Sequence, residues 1–143
     1  MTTAFVTTRR VEFSDTDAAG IMHFVAFFRM MEQAEHELLR SVGLSVIADD
    51  SAGTISWPRV RATCDFQSAA RFEDMLTIEV RIARIGKKSV TYRHRFLLNG
   101  HDLATGEITA FCCRLKAGSP PKSIAIPAAI VRKLKPFAET AAS

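Results

Sequence analysis

Apolar residues recur at helical spacing through one long segment of the chain, from about Val25 to Val42. They form a stripe over about five turns. The stripe contains Val25, Phe28, Met31, Ala34, Leu38, Leu39 and Val42, and it is widened by Phe27 and Met30. Gly43 follows, where a helix of this length would end with a C-terminal cap. The pattern predicts one long helix at the centre of the core.

Most of the remaining chain alternates apolar and polar residues, as half-buried strands do. A first strand is predicted where Val11 and Phe13 alternate with charged residues. Four more are predicted at about 56–67, 75–85, 89–98 and 103–116. Turn residues at 86–88 and 99–102 separate the last three, and consecutive strands with short turns form antiparallel sheets. A short C-terminal helix is predicted to begin at Pro127.

This order of elements predicts an α+β fold. One apolar helix and one antiparallel sheet must bury their apolar sides together, so a sheet of about five strands should wrap around the helix. No internal repeat or linker divides the sequence, and residues 1–143 are interpreted as a single domain. The sheet would have two free edges, and edge-to-edge pairing of two copies is one way to cover them.

Composition narrows the class of protein. The chain is 48% hydrophobic and 24% charged, as globular domains are. No apolar run approaches the roughly 20 residues that span a bilayer, and the N-terminus lacks a signal-peptide pattern. Three cysteines without CxxC or zinc-ligand spacing give neither a disulfide framework nor a metal site. We therefore expect a cytoplasmic protein with no membrane contact and no bound metal.

The net charge of +4 favours an anionic partner. Nucleic acid and a phosphorylated small molecule both satisfy that charge. The basic residues are spread along the chain, and one Tyr and one Trp do not make a stacking platform. The sequence therefore disfavours nucleic acid.

Candidate chemistry lies in residues 14–24, SDTDAAGIMHF, directly ahead of the predicted helix. Asp15 or Asp17 could be an ordinary N-terminal cap of that helix. Alternatively, a carboxylate could face the free N–H groups of the helix N-terminus, which are suited to stabilising an oxyanion. Gly20 would permit the tight turn that brings the two together. The residues alone leave both interpretations open.

The same stretch resembles the hotdog-fold thioesterases of the 4-hydroxybenzoyl-CoA thioesterase-like family. The matching residues are the run 17–21 (DAAGI), then His23 and Phe24, Phe27, Arg29, and the helix segment MMEQAEHELLRSVG. The family pattern is an acid, two small residues, a glycine, an aliphatic residue and then aromatics that lead into the central helix. The RIGKKSV hairpin also matches, so the resemblance covers nearly the whole chain.

The resemblance implies hydrolysis of an acyl-CoA thioester without a metal or added cofactor. It implies a homodimer or homotetramer with active sites at the subunit interface. Asp17 would be the nucleophile or general base, and the Phe24 backbone N–H would polarise the thioester carbonyl. His23 would be a helper in acid–base work, although relatives usually carry that histidine one position later. Asp15 would be a turn or cap residue.

Substrate contacts are also implied. Lys87, Lys88 and Ser89 match the CoA-facing loop of the family, and Arg59 would add a further positive charge. Phe27 and Met31 would line the acyl pocket. Residues 26 and 27 depart from many relatives, which carry a polar residue followed by Tyr.

Glu32 and Glu35 on the predicted helix are alternative candidates for the catalytic carboxylate, because another hotdog branch uses a glutamate on this helix. We expect Glu32 to pair instead with His36, four residues on, and Glu35 to be solvated.

Two other functions stay open. The first is hydrolysis of acyl or polyketide chains carried by a carrier protein, and the second is acyl-CoA binding without catalysis.

Overall fold

A computed structural model describes residues 3–139 of the chain. Within these residues the strands are β1 (Phe5–Arg10), β2 (Ala48–Asp50), β3 (Gly53–Ser56), β4 (Arg59–Phe66), β5 (Met75–Ile85), β6 (Ser89–Leu98), β7 (His101–Phe111), β8 (Cys113–Leu115) and β9 (Lys122–Ser123). The helices are α1 (Phe24–Ser41) and α2 (Ala128–Leu134). Short 3₁₀ turns occupy Phe13–Asp15 and Lys135–Phe137.

Five strands form the main sheet in the order β1-β5-β6-β7-β4, and every neighbouring pair is antiparallel. The predicted mixed class with an antiparallel sheet is confirmed. Four short strands form a second sheet, β2-β3-β8-β9, which the sequence did not predict. The helical residues are divided between the 18 of α1 and a C-terminal segment in which the seven residues of α2 continue into a three-residue 3₁₀ turn.

The predicted first strand is wrong at its C-terminal end. β1 ends at Arg10, Val11 is buried, and Phe13 lies in a 3₁₀ turn with 76% of its surface exposed. Asp15 causes the change, because its backbone N–H donates to the Glu12 carbonyl and its side chain accepts from the Glu12 N–H. These local bonds replace the pairing that an extended strand would need.

β5 and β6 have the predicted boundaries, whereas the strands predicted at 56–67 and 103–116 are each shared between the two sheets. Trp57 and Pro58 separate β3 from β4, and Cys112 separates β7 from β8. Proline has no N–H to donate, so pairing cannot continue unchanged through it. At the second break the Cys112 N–H donates to the Lys88 carbonyl.

The buried face of α1 contains most of the predicted stripe, and two of the departures lie near its N-terminal end. Val25 is 44% exposed and Phe28 is only partly buried. The residues that are buried are Ala26, Phe27, Met30, Met31, Ala34, Glu35, Leu38 and Leu39. Phe27 meets Phe96 of β6 edge to face, with ring centroids 5.0 Å apart. Gly43 has φ +77°, as a C-terminal cap requires.

A glycine sets how closely the helix approaches the sheet. A Cβ atom added to Gly106 of β7 would lie 2.2 Å from the Met31 Cε atom. His94 of β6 is paired with Gly106 in register and is completely buried. Within residues 3–139 neither ring nitrogen of His94 makes a hydrogen bond of ordinary geometry. Burial lowers its pKa to about 4.

His94 should make the fold sensitive to acid. The unfolded chain has a histidine pKa near 6.5, so between pH 6.5 and about 4 it binds more protons than the folded chain. The contribution of His94 to the free energy of unfolding should therefore fall by about 3 kcal/mol as the pH is lowered through this window. Urea unfolding at pH 7.5, 5.5 and 4.5 measures the loss.

His94→Leu should remove most of this pH dependence, and substitution of the exposed His101 by Gln serves as the matched control. Glu35 has a raised pKa of about 6 and acts in the opposite direction in every variant. The difference between variants therefore isolates His94. An unchanged pH dependence in His94→Leu would show that His94 does not cause the acid sensitivity of the fold.

Candidate active site

Residues 14–23, here called the acid loop, form a compact turn ahead of α1. Thr16 and Met22 pair across its base as an isolated antiparallel bridge. The Asp17 N–H donates to the Ile21 carbonyl, and the Gly20 N–H donates to the Asp17 carbonyl, both at 2.9 Å. Gly20 has φ +78°, a left-handed conformation that favours glycine. The backbone of the loop therefore fixes where Asp17 lies.

Asp17 caps its own turn and does not cap the helix. Its Oδ1 atom accepts from the Ala19 N–H at 2.9 Å. The N-cap of α1 is His23, whose Nδ1 atom accepts from the Val25 N–H at 3.4 Å. Among residues 3–139 the Oδ2 atom of Asp17 has no hydrogen-bond donor. One carboxylate oxygen is thus left for a ligand.

Asp17 lines a cleft of about 330 Å³ at the N-terminus of α1. The cleft is mostly apolar, and its walls come from the acid loop, the first turn of α1 and the chain after β4. The lining residues are Asp17, Ile21, Met22, Phe24, Phe27, Phe66, Gln67, Ser68 and Ala69. Phe27 and Phe66 meet edge to face at 5.1 Å. An apolar cleft with one carboxylate suits an acyl group with a reactive polar end.

The first N–H groups of α1 provide the complementary charge. Ala26 donates to the His23 carbonyl and Val25 to the His23 ring. The Phe24 N–H has no acceptor within the described part of the chain. It lies at the positive end of the helix, and Phe24 lines the same cleft as Asp17.

The cleft brings together three of the predicted site residues, Asp17, Phe24 and Phe27, and Gly20 shapes its loop. Two others lie elsewhere. His23 is occupied at the helix cap, with its ring 4.8 Å from that of Phe24. Met31 is fully buried in the core.

The residues predicted to contact CoA lie at the other end of the sheet. Ser89 begins β6, whereas Phe96, which packs on the cleft residue Phe27, is seven positions further along, about 24 Å at the usual rise per residue. The Lys87 and Lys88 carbonyls accept from the N–H groups of Ile126 and Cys112. A single chain therefore does not bring these lysines to Asp17.

A basic pocket near that turn was not predicted from the sequence. It has a volume of about 440 Å³ and is lined by Arg114, Lys116, Ser119, Pro120, Pro121 and Lys122. β8 and β9, which flank it, lie within the segment 112–126 that is tied to the Lys87–Lys88 turn. The sequence does contain a sign of this pocket, because Arg114, Lys116 and Lys122 lie close to the pair Pro120–Pro121.

The prediction that Glu35 is solvated is wrong, since only 1% of its surface is exposed. Both of its carboxylate oxygens accept from the Arg59 Nη1 atom at 2.8 Å. Burial raises the pKa of Glu35 to about 6 even though Arg59 lowers it. Arg59, a predicted CoA contact, is thus held by the core. Glu32 is exposed and makes no ion pair with His36 at contact distance within residues 3–139.

A family comparison places this geometry in context. The model of the thioesterase-like superfamily matches residues 11–134. The chain belongs to this superfamily. A 1,4-dihydroxy-2-naphthoyl-CoA hydrolase from Synechococcus sp. (strain WH7803) is 35% identical over 108 residues, which cover 71% of this chain and 71% of the relative.

Solved structures agree with the family. A gentisyl-coenzyme A thioesterase is 28% identical, with a TM-score of 0.77 over 90% of this chain and 98% of the other. A 1,4-dihydroxy-2-naphthoyl-CoA thioesterase from Synechocystis, at 24% identity, shares the fold with a TM-score of 0.81 over 93% and 96% of the two chains. The resemblance of this chain to thioesterases is confirmed. The prediction that it is a thioester hydrolase is confirmed as well. The residue roles stay predictions.

Two further observations concern the described residues 3–139. No helix among them is long and apolar enough to cross a membrane. No three His, Cys, Asp or Glu side chains among them are grouped as metal ligands would be.

Loss of Arg59 should destabilise the fold, because it leaves the buried Glu35 carboxylate unpaired. We expect Arg59→Met to lower the free energy of unfolding by about 3 kcal/mol at pH 7.5. The double substitution of Arg59 and Glu35 by Met should recover most of that loss. Urea unfolding of the three proteins measures both effects. If Arg59→Met unfolds like the wild type and only raises KM, Arg59 is a substrate contact and the core pairing has little energetic weight.

Proposed function

We propose that this thioesterase hydrolyses an acyl-CoA to the free acid and CoA in the cleft between the acid loop and α1. One observation carries the proposal: the Asp17 carboxylate and the unpaired Phe24 N–H belong to the same cleft. Thioester hydrolysis needs an oxygen nucleophile and a donor for the oxyanion. These two groups supply both requirements.

Phe24 would act on the carbonyl. Its N–H donates to the thioester oxygen and donates more strongly as that oxygen becomes an oxyanion, with the helix dipole adding to the effect. The apolar walls exclude water from the acyl chain and strengthen this interaction. The donor is already oriented by the helix, so the reaction does not have to reorganise it.

Asp17 would act on the carbonyl carbon by one of two routes. As a general base it takes a proton from water while the water oxygen bonds to carbon. As a nucleophile it forms an acyl-aspartyl anhydride that water then hydrolyses. In both routes the C–S bond breaks as the tetrahedral intermediate collapses, and CoA leaves as the thiolate and takes up a proton. His23, held at the helix cap, keeps one ring nitrogen for a supporting proton transfer.

The acyl group is proposed to be aromatic. The cleft wall contains Phe24, Phe27 and Phe66, whose rings offer edge and face contacts to an aromatic ring. The similar proteins named above act on 1,4-dihydroxy-2-naphthoyl-CoA and gentisyl-CoA, both aromatic thioesters. No cofactor is needed beyond the CoA of the substrate.

The CoA phosphates are proposed to bind at the basic end of the sheet, where the turn Lys87, Lys88 and Ser89 adjoins the pocket of Arg114, Lys116 and Lys122. That end is remote from Asp17 of the same chain. A homodimer, alone or within a homotetramer, would place the basic end of one subunit beside the cleft of another.

Free cysteines at 64, 112 and 113 fit a reducing, cytoplasmic location.

The β4 edge of the sheet supports such a pairing. β4 has a partner on one side only, and Val60 on it is 55% exposed. A groove of about 300 Å³ between α1 and β4 is lined by the partly exposed Val25 and Phe28. A long, exposed, apolar edge is a typical site of strand pairing between chains.

Replacement of Asp17 by Asn should abolish most hydrolysis. The Asn side-chain oxygen can still accept from the Ala19 N–H, so the turn persists while the base or nucleophile is lost. We expect kcat to fall about 100- to 10,000-fold, with KM within roughly threefold of the wild type. Release of free thiol from benzoyl-, hydroxybenzoyl-, short-, medium- and long-chain acyl-CoAs measures both constants. Asp49→Asn, an exposed carboxylate on β2, is the control.

An Asp17→Asn variant as active as the wild type would reduce Asp17 to a turn residue. If no acyl-CoA is hydrolysed although several bind, the function is non-catalytic binding. Turnover only of acyl groups presented on a carrier protein would instead assign that substrate class.

The pairing of subunits along β4 predicts that only one of two matched substitutions disrupts assembly. Val60 on β4 and Val6 on β1 are exposed to 55% and 54%, on the two edge strands of one sheet. Val60→Asp should halve the particle mass in sedimentation equilibrium and lower acyl-CoA hydrolysis, because it buries an unpaired carboxylate at the interface. Val6→Asp should change neither. A monomeric wild type, or dissociation by Val6→Asp alone, would overturn this assembly.

A further inference from the structure

The acid loop is tied to the body of α1 by one ion pair. The Arg29 Nη2 atom, in the second turn of the helix, donates to the Asp15 Oδ1 atom at 2.7 Å. The other Asp15 oxygen, Oδ2, accepts from the Glu12 N–H at 2.9 Å, and the Asp15 carbonyl accepts from the His23 N–H at 2.7 Å. Asp15 therefore joins the segment before the loop, the helix cap and the helix itself.

We propose that Asp15 and Arg29 are positioning residues that hold the Asp17 carboxylate in register with the Phe24 N–H. This inference rests on the function proposed above and adds to it two residues that do not line the cleft. Asp15 is thereby assigned a larger part than the turn residue that the sequence predicted.

Within the described residues the other bonds of the acid loop do not reach α1 beyond its first turn, and one of them, from the Met22 N–H to the Ala70 carbonyl, runs to the chain after β4. The bonds at Asp17, Gly20 and Ile21, and the bridge between Thr16 and Met22, close the loop upon itself. Within residues 3–139, no other side-chain hydrogen bond runs from the loop to α1 beyond its first turn. Since Phe24 moves with the helix and Asp17 moves with the loop, the ion pair couples the two reacting groups.

Burial of the Asp15 carboxylate makes its bond to Arg29 important for the position of the acid loop. Asp15 is only 8% exposed, and a buried carboxylate is costly unless each oxygen keeps its donor. Loss of Arg29 would leave Oδ1 without a donor, and the loop would shift to find one. A displacement near 1 Å between reacting groups can lower a rate about 100-fold.

Arg29 also has a surface that a ligand could reach. Its side chain is 49% exposed and lines the groove between α1 and β4. If Arg29 contacted substrate, its loss would raise KM, and the effect would be independent of Asp17. If it acts through Asp17, its loss should lower kcat and should matter only while Asp17 is present.

A double-mutant cycle separates these cases. Wild type, Arg29→Gln, Asp17→Asn and the double variant are assayed with the best acyl-CoA of the panel. We expect Arg29→Gln to lower kcat about 10- to 100-fold in the wild-type background and less than roughly threefold in the Asp17→Asn background, with KM nearly unchanged. Arg29→Lys, which can still pair with Asp15, should recover at least half of the logarithmic loss in kcat. Arg40→Gln, an exposed arginine in the last turn of α1, is the control.

Hydrogen exchange gives a readout that needs no substrate. Amides of residues 15–24 should exchange faster in Arg29→Gln than in the wild type, while amides in the rest of α1 exchange as in the wild type. Equal effects of Arg29→Gln in both backgrounds, a change confined to KM, or unaltered exchange of residues 15–24 would each overturn the inference. Full activity in Asp17→Asn would instead overturn the proposed mechanism, and exchange would still decide whether the ion pair orders the loop.

Discussion

The burial of one face of α1 against the five-stranded sheet is the interaction on which the rest of the structure depends. Phe27 and Met31 are pressed onto β6 and β7, and Gly106 lets the helix approach where any larger residue would collide with Met31. That contact places the start of the helix beside the end of β4. The unpaired Phe24 N–H therefore lies at a cleft, where a loop can bring a carboxylate to it.

The same interface also contains polar groups that a purely apolar core would lack. Glu35 is paired with Arg59, but burial outweighs that ion pair and raises the pKa of Glu35 to about 6. His94 is buried, makes no hydrogen bond of ordinary geometry within residues 3–139, and is held neutral because burial lowers its pKa. The core is therefore held by packing, and its charged groups set the pH range in which that packing is favourable.

Local patterns in the sequence predicted the elements well where neighbours along the chain determine the structure. β5 and β6 follow simple alternation, and Gly43 ends α1. Prediction failed where distant residues decide. The predicted helix face is mostly buried, but Val25 and Phe28 lie at its margin, because apolar character does not say how far the sheet extends over the helix. Glu35 looked solvated because its partner Arg59 lies 24 residues away.

The candidate site shows the same division between local and distant information. Asp17, Gly20 and Phe24 belong to one short stretch and could be recognised together. The opposite wall of the cleft, Gln67 to Ala69, belongs to a different loop. That loop is joined to the acid loop by a hydrogen bond from the Met22 N–H to the Ala70 carbonyl. In this arrangement the walls proposed to contact the acyl group and the cations proposed to bind phosphate stand on separate parts of the chain. Substitution of the half-exposed Phe66 would change the proposed acyl wall and leave the basic turn in place, so on this scaffold the preferred acyl group would be free to change while binding of the shared CoA carrier is retained.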